Sequence, residues 1–402
     1  MFKPCCMVAV ACVILSGPAY AQTTSVRGCC RLPRPRFGDA GRSFLLDPER
    51  PASGIPTRNR ALMTSLHPQT AAGVCLVLIT GLLTACVSEQ AALAKRISHV
   101  VHMVEERELR SDEHTPWVIM HAAIAFKSDA MVFDAEAREE VEATEFLLTR
   151  AKHDGELLFR VVDGAPALPR DPAVEHHVNQ YLMMLALADV SPGRTVFTDT
   201  GDRYRVSDLI DAAKRGFEDG QEVGWTLVAL SSYVSFHDQW PAANGQTYTI
   251  ADVLSRGIER NPGDEAEGGT HHLFGVAYAF RRYALEHDDL AGVWREARAY
   301  LSEHAHMVRR SQLDDGAFSA GLLKQRKEPD SPSDLVFSTG HTLEWLTFAL
   351  SEDELREPWV KRAVVRLCEE IEQHPLDAFS DGGIYHAVNA LRLYSDAALR
   401  SK

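Results

Sequence analysis

The chain has 402 residues, of which 45% are hydrophobic and 24% charged, as is usual for a soluble globular protein. Its formal net charge is −14, but residues 1–85 hold nine of the 42 Lys and Arg and only three of the 56 Asp and Glu. Residues 86–402 therefore carry a net charge of −20. This acidity excludes binding to nucleic acid or to an anionic surface by charge, so we expect no nucleic-acid partner.

Two apolar stretches near the N-terminus have the features of export signals. The first lies within residues 1–22 and ends in the small-residue site Ala19-Tyr20-Ala21. The second lies within residues 63–86 and ends in Leu83-Thr84-Ala85-Cys86, which resembles the lipobox of bacterial lipoproteins. In that class of protein the cysteine is diacylated and becomes the first residue of the mature chain. The resemblance implies lipidation at Cys86.

The region between the two stretches is rich in Arg and Pro and has no periodic apolar pattern. We interpret residues 1–62 as a mis-extended start or a disordered leader, and residues 63–85 as a lipoprotein signal peptide. A transmembrane anchor is the alternative, but the apolar run is shorter than the ~20 residues that a span needs. Lipidation would place the protein in the cell envelope, facing the periplasm or the exterior, with the membrane as its partner.

Past Cys86 the chain alternates two kinds of predicted helix. One kind is amphipathic, whereas the other is apolar nearly all round and therefore has to be buried. The amphipathic helices are predicted at 88–109, 136–152, 206–218, 249–260, 291–311 and 354–373. The apolar helices are predicted at 115–127, 174–188, 223–236, 270–285, 338–350 and 383–395.

Six outer and six inner helices are the number that closes an (α/α)6 ring. We therefore predict an all-α fold in which residues 86–402 form an α/α toroid. The apolar helices also resemble one another, since residues 270–280 align with residues 340–350 without a gap. An open superhelix of helix pairs is the alternative, but the unequal repeat lengths and long connections argue against it.

One short segment, Met307–Phe318, resembles a known family. Its Gln312, Gly316 and Phe318 are similar to the Gln-x-x-x-Gly-aromatic repeat of terpenoid cyclases and protein prenyltransferases, which are α/α toroids. The resemblance covers a dozen residues and occurs once, so it implies the fold rather than the chemistry. The chain has no Asp-x-Asp-Asp and no Asp-Asp-x-x-Asp motif, which terpene chemistry would need.

Histidines cluster at the beginnings of the predicted inner helices, which a ring would bring to one mouth. We select His271, His341 and His386 as catalytic candidates. Glu344 follows His341 by one helical turn and can orient its imidazole as an acid–base group. A buried His–Glu pair that only fixes helix packing is the alternative.

One further carboxylate and a tyrosine complete the catalytic candidates. Asp381 and Tyr385 precede His386, and His and Tyr together could abstract and return a proton, as sugar-acid lyases require. Asp315, which we select as a ligand-binding residue, could pair with Asp381 or Glu344 as the two carboxyl groups of a glycosidase. The alternatives are a helix N-cap for Asp381 and a surface turn for Asp315.

No contiguous metal-binding motif is present, so the sequence assigns no metal and leaves the cofactor unknown. A zinc site would have to combine residues of different helices, for instance His271, His341 and His386. An apolar, terpenoid-like ligand would instead contact Trp117, Trp225, Phe274 and Trp345.

The first hypothesis for function is an envelope-anchored enzyme that acts on a carbohydrate or similar polar substrate. It would be a lyase or hydrolase that uses His and carboxylate acid–base chemistry. The alternatives are a non-catalytic binding or scaffold lipoprotein and a binder of apolar ligands. The sequence leaves protein partners unknown.

Overall fold

The computed structural model describes residues 89–399. The predicted leader, the signal peptide and Cys86 lie outside the described residues. The described part is mostly helical, which confirms the predicted all-α class. Within it, no helix combines the length and the apolar character that a membrane span requires.

Thirteen α-helices occur in the described residues, and each of the twelve predicted helices overlaps one of them. In chain order they are α1 (89–105), α2 (Pro116–Phe126), α3 (Ala143–Thr149), α4 (Gln180–Leu187), α5 (Val206–Arg215), α6 (Gly224–Tyr233), α7 (Ile250–Ile258), α8 (Thr270–Glu286), α9 (Val293–Ser311), α10 (Pro332–Ala349), α11 (Glu352–Leu355), α12 (Pro358–Gln373) and α13 (Asp381–Tyr394).

Several predicted boundaries were wrong. Residues 139–142 of the predicted helix 136–152 form a strand, and α4 begins six residues later than predicted. Conversely, α10 begins six residues earlier than predicted because Pro332 occupies its first turn and Ser331 caps it by accepting from the Asp334 amide. The short helix α11 was not predicted.

Five short antiparallel hairpins, also not predicted, fill the connections between helices. They are β1 (Met131–Asp134) with β2 (Glu139–Glu142), β3 (Lys152–His153) with β4 (Glu156–Leu157), β5 (Arg160–Val162) with β6 (Ala165–Ala167), β7 (Thr195–Phe197) with β8 (Arg203–Arg205), and β9 (Trp240–Pro241) with β10 (Thr247–Tyr248). The turns Asp154-Gly155 and Asp163-Gly164 have positive φ at both residues, which is the usual chemistry of a two-residue hairpin.

The six apolar helices pack against one another in a cycle. Helix α2 contacts α4, α4 contacts α6, α6 contacts α8, α8 contacts α10, α10 contacts α13, and α13 contacts α2 again. Amphipathic helices pack against this set, with α3 on α2, α5 on α6, α9 on α8 and α12 on α10. Helix α1 is bound to α12 through Arg96, which forms ion pairs with Glu369 and Glu372.

Glycines let two pairs of these helices approach backbone to backbone. A Cβ atom on Gly275 of α8 would lie 2.1 Å from the carbonyl oxygen of Gly224 in α6. A Cβ on Gly340 of α10 would lie 2.8 Å from the Cα of Ala387 in α13. Only glycine permits such close crossings. Both crossings lie within one helical turn of a candidate histidine.

The segment Met307–Phe318, which resembles the terpenoid-cyclase repeat, connects the end of α9 to α12 by hydrogen bonds and ring packing. The Gln312 Nε2 donates to the carbonyl oxygens of Gly316 and Trp359, each at 2.8 Å. Phe318 is buried, with its ring 6.0 Å from that of Trp359. The repeat therefore ties the connection after α9 to the beginning of α12.

Candidate metal centre

Three of the predicted histidines converge from three different helices. His271 of α8, His341 of α10 and His386 of α13 each offer a ring nitrogen, and these three atoms lie within 4.8 Å of one another. The imidazoles are buried, with 4%, 3% and 2% of their residues' surface exposed. The ring centroid of His341 lies 4.2 Å from that of His386 and 5.2 Å from that of His271.

The hydrogen bonds of these rings leave nitrogens free for a ligand. The Nδ1–H of His341 donates to the Phe337 carbonyl oxygen at 2.8 Å, and the Nδ1–H of His386 donates to a Glu344 carboxylate oxygen at 2.8 Å. Among the residues that the structure describes, the Nε2 of His386 has no hydrogen-bond partner, and neither nitrogen of His271 has one. A buried polar atom without a partner costs about 1–3 kcal/mol, so such nitrogens on both α8 and α13, close to one another, favour a ligand at this point.

Burial also sets the protonation state of the three rings. It lowers the pKa of His341 and of His386 to about 3, and it lowers that of His271 well below its usual value. The mutual repulsion of protonated imidazoles acts in the same direction at His271 and His341. At neutral pH the rings are therefore neutral, which is the form that binds a metal ion.

Glu344 of α10 holds the His386 ring in place by a hydrogen bond to its Nδ1–H. One carboxylate oxygen accepts from His386, and the other accepts from the Asn389 Nδ2 at 2.6 Å. Burial raises the pKa of Glu344 to about 7, and among the described residues it has no lysine or arginine partner. A carboxylate that holds the Nδ1–H of a histidine and leaves Nε2 free is the usual second layer of a protein metal site.

Aromatic rings surround the three histidines. The Trp225 ring of α6 lies 4.4 Å from that of His271. His121 of α2 lies 5.2 Å from His386, and its Nδ1–H donates to the Trp117 carbonyl oxygen. The half-buried Phe337 ring lies 4.2 Å from His341. Every helix of the apolar cycle except α4 thus contributes a ring to this cluster.

Four of the six predicted catalytic residues come together here: His271, His341, Glu344 and His386. The other two lie elsewhere. Asp381 forms an ion pair with Arg107 at 2.6 Å, and the Tyr385 ring faces that of Phe126 at 6.3 Å. Within the described part of the chain, neither side chain forms a hydrogen bond, an ion pair or a ring contact with the three imidazoles.

The predicted ligand-binding residues are also divided. Trp225 lies beside His271, and Trp117 stacks 5.0 Å from His176, which is exposed. Phe274 and Trp345 are part of the hydrophobic core. Asp315 is bound by the Arg366 guanidinium at 2.9 Å, on the side of the amphipathic helix α12.

Asn389, which completes the hydrogen bonding of Glu344, was not among the predicted site residues. A signal for it exists, because Asn389 is a polar residue one turn after His386 in an otherwise apolar helix. His121 lies in the predicted inner helix 115–127 but was not among the selected residues. Phe337 gave no signal, since an aromatic residue in a buried helix is ordinary.

Comparisons with protein-family models, with curated proteins and with solved structures return no match for this chain. The function has to be inferred from the chemistry of the site itself.

Proposed function

We propose that the chain is a metal-dependent enzyme in which His271, His341 and His386 bind a zinc-type ion at the centre of an (α/α)6 ring. The single observation that carries the proposal is the convergence of three neutral imidazoles whose ligand nitrogens lie within 4.8 Å. The closed cycle of contacts among the six apolar helices supports the ring architecture.

The charges around the site favour a divalent cation. Glu344 is buried among neutral imidazoles and an amide, so its negative charge is uncompensated by any described lysine or arginine. Burying an unpaired carboxylate is costly. A metal ion bound to the Nε2 of His386 would balance that charge through the hydrogen-bonded imidazole.

Three histidine ligands suit a catalytic ion rather than a structural one. A tetrahedral zinc ion with three protein ligands keeps its fourth position for water or substrate. Such an ion lowers the pKa of its bound water to about 7 and thereby supplies hydroxide at neutral pH. The reaction class is therefore hydrolysis or lyase-type elimination of a polar substrate. The half-buried rings of Phe337, beside His341, and of Trp117, beside His121, suit the apolar face of a sugar ring.

Metal analysis tests the proposal. The chain, purified without chelator, should contain zinc or a similar ion by elemental mass spectrometry, and His341→Ala should lose it. His304→Ala is a matched control, because His304 is also buried and its Nδ1–H likewise donates to a carbonyl oxygen four residues earlier. A protein without metal that also fails to bind added zinc would refute the proposal.

We also propose that the enzyme is anchored to the membrane of the cell envelope through acylated Cys86. The lipobox-like Leu83-Thr84-Ala85-Cys86 after an apolar run supports this. The intact mass of the product extracted from membranes tests it. A mature chain beginning at any residue other than Cys86 would refute it.

Binding of an apolar ligand is a second candidate, and a separate cavity favours it. The cavity, of about 220 Å³, lies near the C-terminal ends of several apolar helices. Apolar and aromatic side chains such as Ile124, Leu187 and Phe348 line part of it, and the rest of its lining is polar or charged, namely Lys127, Asp189, Arg281, Arg282 and Asn389. Mass spectrometry of organic extracts of the purified protein would identify such a ligand. Extracts without any co-purified lipid would remove this candidate.

A further inference from the structure

A second set of metal-ligating side chains adjoins the three-histidine centre. His177, from the segment before α4, and Glu222, from the segment before α6, offer ligand atoms within 4.8 Å of one another and of a His271 nitrogen. The Nδ1–H of His177 donates to the Glu222 carboxylate at 3.0 Å, and both side chains are less than one-fifth exposed. The His177 and His271 ring centroids are 5.0 Å apart.

His271 is the one residue common to both sets. Its imidazole has two ring nitrogens, it is fully enclosed by protein, and neither nitrogen has a hydrogen-bond partner among the described residues. A histidine that served only one ion would be expected to donate its other N–H to a carbonyl or carboxylate, as His341 and His386 do. The absence of such an acceptor at His271 requires a different explanation.

We propose that the centre is dinuclear, with the imidazole of His271 bridging one ion held by His341 and His386 and a second ion held by His177 and Glu222. This inference rests on the proposed function and extends it. Binding of the first ion uses the lone pair of one His271 nitrogen. Binding of the second breaks the N–H bond at the other nitrogen and forms a nitrogen–metal bond, and the proton is released to solvent. No electron is transferred.

The surroundings of the second position favour a cation. Glu175 and Glu267 lie close enough to His177 for their charges to act on its imidazole, in addition to the directly bonded Glu222. Carboxylate and imidazole ligands together suit zinc and related divalent ions. Because this pair is half-buried whereas the three-histidine set is enclosed, the second ion is the one nearer to the solvent and to an incoming substrate.

The zinc content of the full chain tests the inference. After chelator treatment and equilibration with zinc chloride, the wild type should hold two ions per chain at the centre. Glu222→Gln and His177→Ala should each lose one ion and keep the other. Glu218→Gln, an exposed glutamate four residues earlier, is the matched control and should lose none.

The outcomes separate the two proposals. A wild type that binds a single ion, lost in His341→Ala, would overturn the bridge and leave the three-histidine centre intact. Two ions retained in both Glu222→Gln and His177→Ala would also overturn the bridge. No ion at all would refute both proposals.

Copper substitution tests the bridge in the wild-type protein, so the result does not depend on whether a variant folds. The first equivalent of Cu²⁺ should give the electron paramagnetic resonance signal of an isolated ion. A second equivalent, joined through the His271 imidazolate, should diminish that signal by magnetic coupling. A signal that doubles at the second equivalent would contradict the bridge.

Discussion

Replacing Gly275 by alanine should destabilise the protein and disturb the metal centre together. The added Cβ would lie 2.1 Å from the Gly224 carbonyl oxygen and 2.6 Å from its carbon and Cα. All three atoms are backbone, so no rotamer change relieves the clash, and α6 and α8 have to separate by about 1 Å or more to reach ordinary contact distances. Overpacking of this kind costs about 1–3 kcal/mol or more. The higher helix propensity of alanine offsets at most about 1 kcal/mol of this cost. We expect a net loss of about 2 kcal/mol in the free energy of unfolding.

Urea unfolding followed by tryptophan fluorescence measures this loss, since Trp225 adjoins Gly224 and the helix crossing. Zinc affinity should fall as well, because His271 lies one turn before Gly275 and metal–ligand distances tolerate only about 0.2 Å. Gly257→Ala is the control. It is also helical, but its nearest neighbour, at 3.3 Å, is a Val276 side-chain methyl that can move. If Gly275→Ala were as stable as Gly257→Ala, the argument from backbone contact would be wrong.

Three further predictions follow from other parts of the structure. Glu344→Gln should weaken zinc binding by about 10–100-fold, measured by competition with a chromophoric chelator, because the carboxylate no longer supports His386; an unchanged affinity would contradict its role. Burial raises the pKa of the Cys368 thiol from 9.0 to about 12, so the folded protein keeps a proton that the unfolded chain loses above pH 9. The free energy of unfolding of the wild type should therefore fall by about 1.4 kcal/mol more between pH 8 and pH 10 than that of Cys368→Ala. Urea titrations of the two proteins at each pH measure this difference. Thr249→Ala should cost about 1 kcal/mol in thermal or urea unfolding, because the Thr249 hydroxyl caps α7 by accepting from the Asp252 amide at 3.1 Å.

The positions of the helices follow from the sequence alone. The spacing of apolar residues, and an apolar character all round a helix, are local properties of the chain. Each of the twelve segments that they indicate overlaps a helix in the structure. The hairpins were missed even though Asp154-Gly155 and Asp163-Gly164 are turn signals. Strands of two to four residues are too short for an alternating pattern to be detected.

The histidines illustrate the boundary between what the sequence determines and what the fold decides. The sequence alone places His271, His341 and His386 on buried helices, and it places Glu344 one turn from His341. That proximity suggested a His341–Glu344 pair, whereas in the structure Glu344 binds His386, 42 residues away.

Only the tertiary structure could decide this partner, because it depends on how closely α10 and α13 cross at Gly340 and Ala387. Likewise, Asp381 and Tyr385 are separated from the centre because Asp381 pairs with Arg107 and the Tyr385 ring packs edge-on against Phe126, the last residue of α2. Spacing along one helix determines which residues share a face. The rotation and distance of neighbouring helices, which arise from packing of the whole core, determine which faces meet.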